Sequence, residues 1–136
     1  MQSLNDPRVE TAIRSYFDTI TTRAKAAWMA LFDKRAMLHE PVGATPGEGS
    51  DGLEQVWQVF TGPFSKLSMQ VDEVFYAGSG AAVRWSANAF AVNGRAASFA
   101  GISVFEVGDD GLIQTVMSYW DPAEVLIRVA GDDLDA

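Results

Sequence analysis

A chain of 136 residues is long enough to bury one hydrophobic core, so we predict a single domain over residues 1–136. Its 48% hydrophobic and 21% charged residues are typical of a globular protein. The net charge of −8 disfavours phosphate backbones and acidic membrane surfaces, so neither nucleic acid nor a membrane is an expected partner. The absence of cysteine excludes disulfides and thiolate chemistry, and the N-terminus lacks the pattern of a signal peptide, which favours the cytoplasm.

The first half of the chain is predicted to be mainly helical. Asp6 and Pro7 indicate a helix start, because aspartate caps helices and proline suits their first turn. Apolar residues then recur at helical spacing, namely Val9, Ile13, Tyr16, Phe17 and Ile20. The segment 23–32, RAKAAWMALF, predicts a second helix, and 37–43 a brief strand that runs into a turn.

A third helix is predicted from a possible capping box, in which Asp51 is followed three residues later by Glu54. An apolar stripe continues from there, and Gly62 with Pro63 ends the helix.

The remainder of the chain is predicted to form four long strands. They cover 67–77, 81–92, 95–107 and 112–120, and the tight turns Asn93-Gly94 and 108–111 separate the later ones. Asp121 and Pro122 then open a short C-terminal helix that contains Val125 and Leu126. Helices followed by an antiparallel meander predict an α+β fold with helices on one face of a curved sheet. The mouth of such a cone is a usual place for a small ligand.

Several stretches together resemble the ketosteroid isomerase branch of the nuclear-transport-factor-like (SnoaL-like) superfamily. They are HEPVG at 39–43, the tyrosine in RSYFDTI at 14–20 and the hairpin pair VNGRAASFAGISVFEV at 92–107. The resemblance runs from Val9 to Trp120 and implies a cone-shaped α+β barrel of cystatin-like topology. In that branch the acidic residue before Pro-Val-Gly is the general base, and the first-helix tyrosine donates to the substrate oxygen.

Carried over residue by residue, the resemblance implies that Glu40 is the base, where the family usually has Asp, and that Tyr16 is the oxyanion donor. Ser103 stands where the family has a protonated Asp as second donor. Catalysis would need no cofactor or metal. An apolar pocket is expected, with Phe99, Phe105, Met117 and Trp120 as its lining.

Glu40 and Ser103 both differ from the residues usual in the family, and each difference affects the expected chemistry. Glu40 is one methylene longer than Asp, and a displaced base can cost about a hundredfold in rate. Ser103 is a weaker donor than a carboxylic acid, and loss of one oxyanion donor typically costs about 3 kcal/mol.

Three functions follow as alternatives. The first is an isomerase of an apolar enone or ketosteroid-like molecule. The second is a lyase, cyclase or hydrolase acting on a polyketide-like or aromatic compound. The third is a non-catalytic module that binds an apolar ligand or another chain. The resemblance also implies a homodimer formed through the outer face of the sheet.

Two further residues near these positions have simpler interpretations. Strand alternation places the side chains of His39 and Glu40 on opposite faces of the strand. A single histidine without other ligands at suitable spacing does not predict a metal site. We therefore expect His39 to be half-buried. Asn88 alternates with Trp85 and Ala87, so it is a candidate for substrate binding only if it points inward.

Overall fold

The structure, a computed structural model, describes residues 5–125. Helices predominate in the first half of the described chain and long strands in the second, as predicted. The elements are α1 (Pro7–Thr21), α2 (Lys25–Met29), β1 (Phe32–His39), β2 (Gly47–Glu48), α3 (Gly49–Thr61), β3 (Phe64–Ala77), β4 (Gly80–Ala91), β5 (Ala96–Val107) and β6 (Ile113–Tyr119). A helical turn over 122–125 begins after Asp121, and Leu126 lies outside the described residues. Within the described part, no helix has the length and apolar character needed to cross a membrane.

Helix α1 begins as predicted, with the side chain of Asp6 accepting from the backbone N–H of Arg8. The prediction for 23–32 was too long, because α2 covers only Lys25–Met29 and β1 already starts at Phe32. Pairing with β6 explains the difference, since it buries Phe32, Ala36 and Leu38 in a strand that local apolar spacing alone does not identify.

The predicted capping box was wrong. Helix α3 begins at Gly49, and its N-cap is Glu48, whose side chain makes no capping hydrogen bond. The short strand β2 leads directly into the helix at this point. A Cβ atom on Gly52 would lie 2.3 Å from the backbone of Gly47, so the absence of side chains there permits the close crossing.

The strands form one curled six-stranded sheet in the order β2-β1-β6-β5-β4-β3. All neighbouring pairs are antiparallel except β1 and β6, which are parallel. The predicted hairpin turns are confirmed, with Gly94 at φ +85° and Gly111 at φ +82°. Helices α1 and α3 pack on the sheet, which gives the predicted α+β architecture.

The two faces of the sheet have different environments. Alternate residues of β4, including Trp85 and Ala87, are buried in the core. Asn88 lies on the opposite, exposed face, where its side chain accepts a hydrogen bond from Ser98 at 2.8 Å. Asn88 therefore does not face the core, and it lines an open groove of about 620 Å³ instead.

Candidate active site

Glu40 follows directly after β1 and is buried, with 6% of its surface exposed. The parallel pairing of β1 with β6 brings the two chain segments together, and the backbone N–H of Val42 donates to the carbonyl of Ser118 at 2.8 Å. The intervening Glu40–Pro41 peptide bond is cis. The end of a buried strand thus holds this carboxylate inside the cone.

Three side chains from different parts of the chain donate hydrogen bonds to the Glu40 carboxylate. The Tyr16 hydroxyl donates to Oε2 at 2.7 Å and the Ser118 hydroxyl to the same oxygen at 2.8 Å. The indole N–H of Trp120 donates to Oε1 at 2.8 Å. A carboxylate oxygen accepts about two hydrogen bonds, so among the described residues Oε2 is fully occupied and Oε1 has one acceptor position left.

Burial sets the direction of both pKa shifts in this pair. Burial raises the pKa of Glu40 above its ordinary value, and the hydrogen bonds from Tyr16, Ser118 and Trp120 oppose that rise only in part. Burial and the neighbouring Glu40 charge raise the pKa of Tyr16 well above 10.0. Glu40 is therefore a stronger base than an exposed glutamate, and Tyr16 stays a hydrogen-bond donor.

Tyr16 is held in place by aromatic packing. It lies on the buried face of α1 and is 1% exposed. Its ring makes edge contacts with Phe105 at 5.0 Å and with Phe17 at 5.1 Å between centroids. Phe105 thus contacts the ring of Tyr16, although the sequence suggested it as a pocket-lining residue.

Ser103 is buried but does not contact Glu40. Its hydroxyl is 2.7 Å from that of Ser118, which is the residue directly opposite on β6, and it accepts from the indole N–H of Trp85 at 2.9 Å. Gly101 makes room for this indole, because a Cβ atom there would lie 2.6 Å from the Trp85 ring. The site therefore extends across the inner face of the sheet.

An apolar cavity of about 200 Å³ lies beside this network. Phe99 and Trp120 line it, as the sequence suggested, whereas Phe105 and Met117 do not. The complete lining is Val59, Phe60, Pro63, Phe64, Leu67, Trp85, Phe99, Trp120, Pro122 and Val125. Trp120 both lines the cavity and donates to Glu40, so it connects the apolar space directly with the carboxylate.

Met117 and His39 lie on the other side of the sheet. They are paired neighbours on β6 and β1, and both are half-buried. The half-buried environment expected for His39 is confirmed. Met117 precedes Ser118, which faces the core, and the alternation of the strand turns the two side chains in opposite directions.

Sequence reasoning missed two members of the network, Ser118 and Trp85. A signal was present for Ser118, because it alternates with Val116 and Trp120 on what was predicted to be a long strand. Trp85 was noted only for its alternation with Asn88 on a predicted strand, and nothing local indicates where an indole N–H points.

Known proteins share both the sequence pattern and the fold of this chain. The SnoaL-like domain profile matches residues 13–116. Among curated proteins no match was found. One similar structure is the Δ5-3-ketosteroid isomerase from Mycobacterium sp., 20% identical, with a TM-score of 0.76 over 87% of this chain and 95% of that one.

Two further structures have the same fold. A Mycobacterium tuberculosis protein in complex with estradiol-17β-hemisuccinate is 16% identical, with a TM-score of 0.77 over 87% of this chain and 97% of that one. The epoxide hydrolase/cyclase-like enzyme SalBIII, which acts in pyran ring formation in the polyether salinomycin, is 16% identical. Its TM-score is 0.78 over 89% of this chain and 96% of that one.

Proposed function

The chain belongs to the SnoaL-like domain family, and from this membership and the site geometry we propose that it is a cofactor-independent isomerase of an apolar enone or ketosteroid-like molecule. Glu40 is the general base and Tyr16 the donor to the substrate oxygen. The observation that carries the proposal is the buried Glu40–Tyr16 hydrogen bond of 2.7 Å, beside a cavity whose lining is almost wholly apolar.

The reaction moves one proton between two carbon atoms. Oε1 of Glu40, which retains an acceptor position, removes a proton from the carbon next to the carbonyl group. The electrons of that C–H bond pass into the conjugated system and place negative charge on the carbonyl oxygen. Glu40 then returns the proton to the far carbon of the former double bond, so nothing is consumed.

Tyr16 has to exchange partners during this reaction. In the free protein its hydroxyl donates to Oε2 of Glu40. Once Glu40 has accepted a proton it is neutral, and its attraction for the phenol weakens. At the same moment the substrate oxygen becomes anionic and a better acceptor. Proton transfer to Glu40 thus releases the donor at the step that needs it.

The similar structures support an apolar ligand. One of them is a ketosteroid isomerase and another holds a steroid derivative. The cavity of about 200 Å³ exceeds the roughly 150 Å³ that accommodates benzene in a protein core, so it holds one ring or a small fused system. The rest of a larger substrate would extend into an open groove of about 620 Å³ that shares Phe99, Trp120 and Val125 with the cavity.

Ultraviolet absorbance tests the proposal, because conversion of a β,γ-unsaturated ketone to its conjugated isomer produces a strong new band. We expect turnover above the buffer rate for at least one ketone in a series from single-ring to steroid substrates. No acceleration across the series would reject the isomerase function. A ligand that binds tightly and is recovered unaltered would instead favour a non-catalytic binding module.

A ring-closing or ring-opening reaction is the second candidate. The observation that favours it is that Ser103 hydrogen-bonds within the protein, to Ser118 and Trp85, which leaves Tyr16 as the donor for a substrate oxygen. In such a reaction Glu40 removes a proton from an attacking hydroxyl or water and Tyr16 gives its proton to the departing oxygen. The proton on Glu40 then returns to Tyr16 through their hydrogen bond. Turnover of epoxy alcohols without turnover of any ketone would select this candidate over the isomerase.

The proposed base predicts the pH profile of the reaction. Because Glu40 must be ionised, kcat/KM should rise about tenfold per pH unit on the acid side and level off above the raised pKa of Glu40. The midpoint should lie above 4.5, the ordinary value. No decline from Tyr16 is expected up to pH 10, since its pKa is well above that value. A rate independent of pH between 4 and 8 would contradict the role of Glu40.

The proposal includes a homodimer, in which a second copy of the chain packs on the outer face of the sheet. Large apolar side chains are exposed on neighbouring strands there, with Ile102 at 45% and Tyr119 at 50% exposure as direct cross-strand partners. Ile102→Glu would place a charge within such an apolar interface, where its desolvation is costly. We expect it to weaken association at least tenfold in sedimentation velocity experiments.

Val92→Glu is the matched control for this variant. Val92 is 73% exposed but lies in the turn after β4 rather than on the sheet, so its replacement should leave association unchanged. A wild-type chain that sediments only as a 14.7 kDa monomer at tens of micromolar would reject the dimer.

A further inference from the structure

The hydroxyls of Ser103 and Ser118 link the Glu40 carboxylate to the indole of Trp85 along the inner face of the sheet. Ser118 and Ser103 are direct cross-strand partners, and Trp85 lies diagonally across from Ser103 on the next strand. The distances along this series are 2.9 Å from Trp85 to Ser103, 2.7 Å from Ser103 to Ser118 and 2.8 Å from Ser118 to Glu40.

The donor direction along this series follows from the chemistry of its two ends. An indole N–H can only donate, so Ser103 accepts from Trp85. An ionised carboxylate can only accept, so Ser118 gives its single hydroxyl proton to Glu40. The remaining bond must then run from Ser103 to Ser118. Every hydroxyl proton in the series points toward Oε2 of Glu40.

We infer that Trp85, Ser103 and Ser118 form a one-directional donor relay that fixes Oε2 of Glu40 and leaves Oε1 as the proton-accepting oxygen. Ser103 is thus a positioning residue and not a donor to the substrate. This inference rests on the proposed role of Glu40 as the base. It assigns Ser103 a purpose without the acidic side chain that the resemblance led us to expect.

Burial of all the members supports the relay. Ser118 is 0%, Ser103 2% and Trp85 2% exposed, so water does not compete for their hydrogen bonds. A buried hydroxyl that loses its hydrogen-bond partner destabilises the fold by its full desolvation free energy. The relay also begins at the ligand space, because the ring of Trp85 lines the apolar cavity. An occupant of the cavity would therefore touch the first member of the relay.

The test measures the proton affinity of Glu40 and needs no substrate. The protein is labelled with carboxyl-13C glutamate, and the Glu40 signal is identified by its absence from Glu40→Gln. Chemical shifts are then followed against pH. The titratable side chain that hydrogen-bonds to Glu40 within residues 5–125 is Tyr16, which stays protonated over the range, so the titration reports Glu40 itself.

Graded shifts are expected along the relay. Ser118→Ala removes a bond to the charged group and should raise the proton affinity of Glu40 about tenfold. Ser103→Ala and Trp85→Phe act through Ser118 and should each raise it about twofold, because hydrogen bonds in a series strengthen one another only modestly. Since the effects share one route, the double variant Ser103→Ala/Trp85→Phe should titrate like Ser103→Ala alone. Ser103→Thr keeps the hydroxyl and should titrate like the wild type.

Ser86→Ala is the matched control. Ser86 neighbours Trp85 on β4 but points to the other face of the sheet, where it donates to Asp72, so its loss should not move the titration. An unchanged Glu40 titration in folded Ser103→Ala, or additive shifts in the double variant, would overturn the relay. If Ser118→Ala fails to fold, the Glu40 titrations of Trp85→Phe and Ser103→Ala still test the relay. A wrong reaction assignment would appear separately, as missing turnover in a protein that shows the graded shifts.

Discussion

Glu40→Gln should reduce kcat/KM by a factor of about 10²–10⁴ while substrate binding is largely retained. The amide has nearly the size and shape of the carboxylate but cannot accept a proton from carbon, so the loss corresponds to general-base catalysis. Tyr16 and Ser118 can turn their hydroxyls to accept from the new amide, and Trp120 can still donate to its oxygen. Steady-state kinetics on the best substrate of the ketone series provides the measurement.

The stability of the same variant provides an internal check. Because burial raises the pKa of Glu40 in the folded state, its contribution to stability is fully present below the ordinary value of 4.5 and is lost as pH rises through the folded pKa. The side chain that Glu40→Gln introduces stays neutral at every pH. In denaturant unfolding, the free energy of unfolding of the variant should therefore increase relative to that of the wild type as pH rises across that window. Each tenfold difference in proton affinity corresponds to about 1.4 kcal/mol.

Glu48→Gln is the matched control for turnover. Glu48 is exposed and lies outside the network, so its replacement should not alter turnover. Turnover of Glu40→Gln within threefold of the wild type would refute the assignment of the base.

Tyr16→Phe should lower kcat by about 10²–10³, which is the usual effect of removing one oxyanion donor. The ring stays in its aromatic surroundings, so the fold should be maintained. A second effect is expected on the pH profile. The phenol stabilises the charged form of Glu40, and without it the midpoint of the profile should move to higher pH.

Tyr76→Phe separates this effect from the general loss of a buried phenol. Tyr76 lies on β3, is half-buried and lines the cleft between that strand and α1, away from Glu40. Its hydroxyl should be dispensable for turnover. A Tyr16→Phe enzyme with wild-type kcat and an unshifted profile would show that Tyr16 acts only in the core.

The fold was predictable because its signals are local. Asp6 with Pro7 marks the start of α1, and Asn93-Gly94 marks a hairpin, since each depends on only a few neighbouring residues. The sequence-based predictions were wrong where contacts between distant parts of the chain decide the secondary structure. Phe32 joins a strand instead of a helix because β6, far along the chain, pairs with it. Helix α3 starts early because two glycines let β2 cross it closely.

The candidate site divides in the same way. The resemblance to a family pointed to Glu40 and Tyr16, and the structure joins them by a hydrogen bond. The resemblance could not show that Ser118 and Trp120 supply the other two donors to Glu40, because those contacts span 78 and 80 residues of sequence. Nor could it show where Ser103 points, since the direction of a hydroxyl depends on partners that only strand register brings together.

The parallel pairing of β1 and β6 has a consequence for protein synthesis and truncation. Among the described residues 5–125, β6 is the strand made last, yet it does not lie at an edge of the sheet but between β1 and β5. A nascent chain that ends before it cannot join β1 and β2 to the β3–β5 meander, and it leaves the Glu40 carboxylate without two of its three donors. Closing that long loop is slow compared with forming hairpins. Catalytic competence should therefore appear only after the whole of β6 has been made, and fragments that lack it should not reach the native sheet.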